Sequence, residues 1–280
     1  MGSYATAAVV RFPDPGLESA IREAISRPNG SIYDDHVDDL EILDASFRGI
    51  ANLEGIEACE SLCELNLEGN RIQSVKALRS LRHLTVLTLT SNEIMEIDAL
   101  GDLHGLIRLR LGDNLIENLD PLANLAGESA LEELELHGNA ILDVEALTGL
   151  KTLLRLTLQE NAITDITPLG TLSQLVSLNL SSNAIEQIDP LAGLLELKVL
   201  LVEGNQIRDV SALRGLKNLL GLWLGHNEIV DLAPLLTNDG LDYMDRVYLC
   251  GNPIHSPENT STTAVIDALT LRGVFVYDCP

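Results

Sequence analysis

Aromatic residues are scarce in this chain: they make up 3% of 280 positions, and only one is a tryptophan. Positive charge is scarce as well. Eighteen lysines and arginines face 42 aspartates and glutamates, for a formal net charge of −24. Nucleic acids and anionic membrane surfaces are polyanions, so this balance argues against both as main partners. No apolar run approaches the ~18 to 20 residues of a membrane span, so no membrane insertion is expected. The opening residues MGSYATAAVV lack a charged n-region and a full apolar h-region, and do not read as a signal peptide.

The sequence also has little that could carry chemistry. Its four cysteines, Cys59, Cys63, Cys250 and Cys279, are too few for a disulfide framework and have no zinc-type CxxC spacing. Six histidines occur, but none in HExxH, and neither GxSxG nor GxxxxGK[ST] is present. The best carboxylate–histidine grouping is His137 with Glu133 and Glu135, and no nucleophile stands beside it. The reading is therefore of a protein that is not an enzyme and holds no cofactor or metal.

What the chain does have is leucine, and a period. Asparagine recurs at 70, 92, 114, 139, 161, 183, 205, 227 and 252, every 22 residues except for two steps of 25. The extra residues fall around AGESA (126–130) and TNDGLDYM (237–244). A divergent unit starts at Leu40, with Arg48 where asparagine would stand. The pattern LxxLxLxxNxI at a fixed period is the signature of leucine-rich repeats. In each unit the alternating LxL, such as Leu178 and Leu180, reads as a short strand with one face inward. Neighbouring strands pair in parallel at ~4.8 Å. Past the strand the chain must turn and leave backbone groups inside. An asparagine side chain, with both donor and acceptor, can satisfy them.

The return half of each unit carries the rest of the core. Asp120-Pro121, Thr167-Pro168 and Asp189-Pro190 read as a capping residue followed by proline at the first helical position, so short helical turns, in part 3₁₀, are expected there. The aspartates at 143, 165, 209 and 231 read as turn and cap residues, because calcium loops need a denser ligand spacing. A solenoid must also close its ends. FPDPGLESAIREAI (12–25) reads as an N-terminal helical cap, with Asp14 as N-cap, Pro15 first in the helix, and an apolar stripe of Leu17, Ala20, Ile21, Ala24 and Ile25. A second short helix is expected near 34–40. At the other end a helix over about 258–271, a stop at Gly273 and a last strand VFVYD are expected. The organisation is thus a cap at 1–39, about ten repeats at 40–255 and a cap at 256–280, together one domain.

The solenoid order limits the cysteines. About eight repeat steps separate Cys63 from Cys250, on the order of 40 Å at ~4.8 Å per step. Only Cys59 with Cys63, or Cys250 with Cys279, could pair. Cys59 falls on a core position and Cys63 opens a strand, which disfavours the first pair. The last strand should lie beside the one carrying Cys250, so the second pair is the candidate bridge, subject to register.

The 22-residue unit, with the cap FPDPGLESAIREAI followed by LEILDAS and GIANLEGIEAC, resembles the internalin-type subclass of leucine-rich repeat proteins on bacterial surfaces. The resemblance covers roughly residues 10–280. It implies a curved right-handed horseshoe with a parallel concave sheet, an α/β repeat solenoid that binds a protein ligand and transfers no catalytic residue. It favours a surface or secreted location and a monomer. The alternative is a cytoplasmic regulatory subunit of an enzyme such as a phosphatase.

The residues flanking LxL point outward onto the concave face. Two groups stand out there. The first is apolar and aromatic: Val199, Leu201, Trp223 and Tyr248, with Gly221 leaving room and His226 and Arg246 at the edge. Tryptophan, tyrosine and arginine most often dominate binding energy, so this group is the expected protein-binding site. The second is a charged belt of Arg108, Arg110, Glu133, Glu135, His137 and Arg155, a secondary candidate whose opposite charges can also pair across strands.

Overall fold

The computed structural model describes residues 7–127, 130–255 and 261–279. The backbone divides into two compact units, Met1–Leu131 and Glu132–Pro280. The expected start of the last helix at 258–260, and Glu128 and Ser129 of the first insertion, lie outside the described residues.

In the first unit, three-residue strands β3 (Ile42–Asp44), β4 (Glu64–Asn66), β5 (Val86–Thr88) and β6 (Arg108–Arg110) follow β1 (Val9–Val10) and β2 (Ile32–Tyr33). Strands β3 to β6 pair in parallel and in register, so Leu43, Leu65, Leu87 and Leu109 form one inward row. All four are at most 2% exposed. The residues on either side of each leucine point to the other face of the sheet, because successive side chains on a strand alternate, although Thr88 there is buried. The first turn of every return segment supplies a further buried row, Ile50, Ile72, Ile94 and Ile116.

The second unit repeats the scheme with β7 (Glu133–Glu135), β8 (Arg155–Thr157), β9 (Ser177–Asn179), β10 (Val199–Leu201), β11 (Gly221–Trp223), β12 (Arg246–Tyr248) and β13 (Phe275–Tyr277). These also run parallel and in register. The fold is a leucine-rich repeat solenoid.

The return segments are mostly 3₁₀ turns, such as Asp120–Leu125, Thr167–Thr171 and Asp189–Gly193. Here one expectation needs correction. Asp120, Thr167 and Asp189 are the first residues of these turns, and no side chain caps their N-termini from the preceding position. In five of the return segments the side chain that closes the turn sits two residues before its first residue. Asn118 accepts from the Asp120 amide, Asp143 from Glu145, Asp165 from Thr167, Asp209 from Ser211 and Asp231 from Ala233, all at 2.8 Å. The recurring aspartate is therefore a turn residue, hydrogen-bonded to the backbone two positions on.

The repeating asparagines hold successive turns together. Asn183 donates from Nδ2 to the carbonyls of Leu180 in its own turn and Leu158 in the preceding one, at 3.0 and 2.9 Å. Its Oδ1 accepts from the Ile163 amide at 3.0 Å. Asn70, Asn92, Asn114, Asn161, Asn205, Asn227 and Asn252 repeat the same two donations. Asn183 itself is half-buried rather than fully enclosed, whereas Asn70, Asn92, Asn114, Asn205 and Asn227 are buried.

Both ends are closed by hydrogen bonds to the nearest repeat. Helix α1 (Pro15–Ala24) buries Leu17, Ala20 and Ile21; Ile25 is half-buried and Ala24 is exposed. Asp14 caps it, accepting from the Gly16 and Leu17 amides with Oδ1 and from the Ala51 and Asn52 amides with Oδ2. The Arg48 amide donates to Asn70 Oδ1 at 3.0 Å, but its side chain takes no part in the ladder; it turns back to Glu23 of α1 with two bonds of 2.9 and 2.6 Å. The β1–β2 antiparallel pair was not foreseen. The second short helix appears as a 3₁₀ turn, Asp34–His36. In the second unit the inserted residues follow the short helix α2 (Ala233–Leu236), and α3 (Ser261–Leu271) precedes β13. Arg272 donates to the carbonyls of Leu236 and Asn238. Asn238 is fully buried and donates to Leu213 and Leu216. The chain turns at Gly273 with φ 92°, a left-handed conformation that glycine adopts without steric cost.

Replacing Asn183 by alanine strands the Ile163 amide and takes one of two asparagine donors from the carbonyls of Leu158 and Leu180, which keep Asn161 and Asn205. Urea unfolding of Asn183→Ala, and of Asn161→Ala by the same reasoning, should show a loss of about 1–3 kcal/mol. Midpoints equal to wild type would contradict the ladder. For Asp14, burial raises the carboxyl pKa, but hydrogen bonds from Ala51, Asn52, Leu17 and Gly16 outweigh it and leave it below the ordinary aspartate value. A depressed folded pKa stabilises above the unfolded pKa, and that stabilisation is lost as pH falls through the folded value. Asp14→Ala should therefore cost about 0.5–2 kcal/mol near neutral pH. Unfolding curves repeated down the acid range should show the deficit closing; a deficit independent of pH would refute the assignment.

Candidate protein-binding surface

On β10, β11 and β12 the inward positions are taken by Leu200, Leu222 and Val247, each fully buried. Their neighbours therefore point to the other face of the sheet, and register aligns them. Leu201 stands beside Trp223, Trp223 beside Tyr248, and Tyr248 beside Tyr277 of β13. The three rings stack. Trp223 and Tyr248 lie 4.9 Å apart at 11°, and Tyr248 and Tyr277 4.4 Å apart at 5°. Parallel strands at a spacing of ~4.8 Å are what allow near-parallel rings at this distance.

The second outward row is Val199, Gly221, Arg246 and Phe275, again in register. The missing side chain at Gly221 makes the stack compatible with a tryptophan. A Cβ there would fall 2.5 Å from Cζ3 of Trp223, so the indole lies across the glycine backbone. That contact leaves Trp223 half-buried, along with Val199, Leu201 and Tyr248, while Arg246 is exposed. Phe275 and Tyr277 are 47% and 43% exposed, a high value for large apolar side chains, which marks this end of the sheet as an apolar surface open to solvent.

Polar groups border the rows. His226 has φ 52° and its ring lies over Gly251, where a Cβ would be 2.5 Å from Nδ1. Its Nε2 is 3.7 Å from Oε1 of Glu203. Behind Arg246, Asp245 is buried. Burial pushes its carboxyl above the usual range; a hydrogen bond from the Asp242 amide opposes this and the Asp242 charge adds to it. Cys250 and Cys279, two positions beyond Tyr248 and Tyr277, are joined by a disulfide with a Cα–Cα distance of 4.6 Å. The candidate bridge thus forms. Cys59 and Cys63 are free, and burial, then the Glu57 charge, pushes the Cys59 thiol up to about 12. Thiolate is the reactive form, so Cys59 is inert near neutral pH.

The structure brings all six residues of the first sequence group onto one surface of the second unit. It adds Tyr277 and Phe275, which sequence reasoning left out. The signal was present: once VFVYD is read as a strand beside β12, register places Tyr277 next to Tyr248. The charged belt is divided between the units. Arg108 and Arg110 lie on β6 of the first unit. Glu133, Glu135, His137 and Arg155 belong to the second, where Glu133 is in register with Arg155. Among the described residues, no group of three or more histidine, cysteine, aspartate or glutamate side chains is placed to hold a metal ion. No described helix is long and apolar enough to cross a membrane.

Comparison with known proteins agrees with this architecture. A family model described as leucine rich repeats (2 copies) matches residues 151–193. The chain is similar to internalin C2 of Listeria monocytogenes, with 32% identity over 78% of this chain and 97% of that one, and a TM-score of 0.71. A second internalin of Listeria monocytogenes is 26% identical over 100% of this chain and 95% of that one, with a TM-score of 0.64. A leucine-rich repeat protein of Leptospira interrogans is 28% identical over 79% of this chain and 56% of that one, with a TM-score of 0.71. No curated protein matches by sequence.

The lone tryptophan makes the stack measurable. Gly221→Ala should push the indole off its seat, shift Trp223 emission to the red and increase its quenching by acrylamide. An unchanged spectrum would mean that the ring does not lie on Gly221.

Proposed function

Because this chain belongs to the internalin-like family of bacterial leucine-rich repeat proteins, we propose that it binds a protein ligand through the solvent face of β10 to β12. Leucine-rich repeat folds are typically protein-binding scaffolds. The observation that carries the reading is the aromatic stack centred on Tyr248, half-buried at Trp223 and Tyr248 and exposed at Tyr277, in a chain with so few aromatic residues. Folding does not require it, since Leu200, Leu222 and Val247 already fill the core side of the same strands. An apolar surface without a folding role costs solubility, and its retention points to use. Trp223 and Tyr248 supply the apolar centre. Arg246, exposed in the second row beside Gly221 and Phe275, suits a carboxylate of the ligand, and His226 and Glu203 lie at the rim. The protein acts by holding its ligand and carries out no catalysis.

The Cys250–Cys279 bridge favours a surface or secreted location over the cytoplasmic regulatory subunit, because disulfides persist in oxidising compartments and are reduced in the cytosol.

The test is affinity capture by wild type and by a Trp223→Ala, Tyr248→Ala double variant, followed by titration of the purified protein that only wild type retains. Trp223→Ala should weaken that binding by about 2 kcal/mol or more, with unfolding curves close to wild type. Glu68→Ala, in the first unit, should leave it unchanged. Wild-type affinity in Trp223→Ala, or unfolding of that variant, would remove the site from this face.

A further inference from the structure

Asn29 is the one asparagine of this chain that a glycine follows. The pair lies in the turn between α1 and β2, and both residues are exposed. The ladder side chains are tied down, each donating to two carbonyls as Asn183 does to Leu158 and Leu180. Asn52, Asn66, Asn118 and Asn179 accept from the amide two residues on. Asn29 is held by nothing of the kind. No described residue is hydrogen-bonded to its side chain, and none accepts from the Gly30 amide. Gly30 has φ 87°, and a Cβ there would meet nothing within 4 Å. The turn needs glycine for this left-handed backbone. The same missing side chain leaves the Gly30 nitrogen unshielded beside the Asn29 carboxamide.

What the turn supports lies close by. Arg22 of α1 donates to the carbonyls of Arg27 and Gly30, at 3.1 and 3.0 Å. Two residues past Gly30 the chain enters β2, where Ile32 is in register with Val10 and Tyr33 with Val9. The pair is closed by the Asp34 amide, which donates to the Ala8 carbonyl, and by the Ala8 amide, which donates to Asp34 Oδ1, each at 3.0 Å.

We propose that Asn29 is a self-modification site, and that its conversion to isoaspartate loosens the β1–β2 pair of the cap. The Gly30 nitrogen attacks Cγ of Asn29. A new N–C bond forms, the Cγ–Nδ2 bond breaks, and ammonia leaves with the amide proton, giving a cyclic succinimide. Water then opens the ring. Cleavage at the former main-chain carbonyl gives isoaspartate, and cleavage at Cγ gives aspartate. Water is the only co-reactant, and nothing is oxidised or reduced. In isoaspartate the main chain runs through Cβ and Cγ, one atom longer than before, and the former main-chain carbonyl carbon becomes a free carboxylate. That carboxylate forms one residue from the Gly30 carbonyl that Arg22 holds. A charged acceptor takes a guanidinium from neutral carbonyls, so the turn loses its tether as its backbone lengthens.

The test incubates the full chain in water labelled with heavy oxygen, at neutral and at mildly alkaline pH, and follows it by peptide mass mapping. The Asn29 peptide should gain the mass of deamidation together with one heavy oxygen. It should do so at least about tenfold faster than any peptide with a ladder asparagine, whose side chain is freed only by local opening. Conversion should quicken at the higher pH, because the attacking Gly30 nitrogen must lose its proton. Asn29→Gln should stay unconverted at that position. No conversion at Asn29, or conversion no faster than in the ladder, would overturn the site. Hydrogen exchange then compares converted wild type with fresh wild type and with Asn29→Gln incubated in the same way. Exchange at the Asp34 amide should be about tenfold faster in the converted protein alone, as for opening of one local pair. The Ile25 amide, bonded to the Ile21 carbonyl at 3.0 Å at the end of α1, should be unchanged. Equal protection of Asp34, or the same loss in incubated Asn29→Gln, would overturn the loosening. Loss at Ile25 as well would overturn its confinement to the pair.

Discussion

The fold depends on one recurring exchange of hydrogen bonds. A 22-residue unit that runs out as a strand and returns as a 3₁₀ turn must bend sharply, and the bend leaves carbonyls inside. Each unpaired buried group of this kind costs about 1–3 kcal/mol. The asparagine after the strand answers two carbonyls at once, one in its own turn and one in the turn before it. Local satisfaction and inter-repeat cohesion are therefore the same contact. This explains why strand register is kept so closely, since a unit displaced along the sheet would lose both bonds. It also explains why leucine can dominate the interior without leaving the stacking undefined: leucine supplies the driving force, and asparagine the position.

Once register is set, the outward side chains are set as well. The core takes only the middle residue of each strand, so its two neighbours are free to vary without cost to folding. Over β10 to β13 those positions hold Val199, Leu201, Trp223, Arg246, Tyr248, Phe275 and Tyr277. The aromatic stack is thus a consequence of the ladder. Side chains one strand apart in register meet face to face, and Gly221 gives the largest of them a place to lie.

Much of this was legible in the sequence because it repeats. The LxL strands, the asparagine positions and the group from Val199 to Tyr248 follow from the period alone. What was missed lies off the period. Tyr277 falls 29 residues after Tyr248, beyond the last regular step. Asn238 does within the second insertion what the ladder asparagines do elsewhere, yet no repeat position points to it. The two-residue strands β1 and β2 are too short to show an alternation. The turn starts were misread for a different reason. Asp120-Pro121 and Thr167-Pro168 look like caps, but the oxygen that closes these turns comes from the side chain two positions earlier, Asn118 and Asp165. The column of aspartates at 143, 165, 209 and 231, legible in the sequence as turn and cap residues, supplies that oxygen where it stands.

Arg48 sets a direction on how such a chain can change in length. An asparagine-bearing unit offers its neighbours what every other such unit offers, so duplicating or deleting one 22-residue block within the array restores the same contacts on both sides. The unit at Arg48 cannot be treated this way. Its side chain reaches Glu23 of the cap helix, and a block inserted ahead of it would part the two charges and set the cap against a unit not made for it. Gene duplication can therefore lengthen the middle of this protein freely, whereas its beginning has to be inherited as one piece.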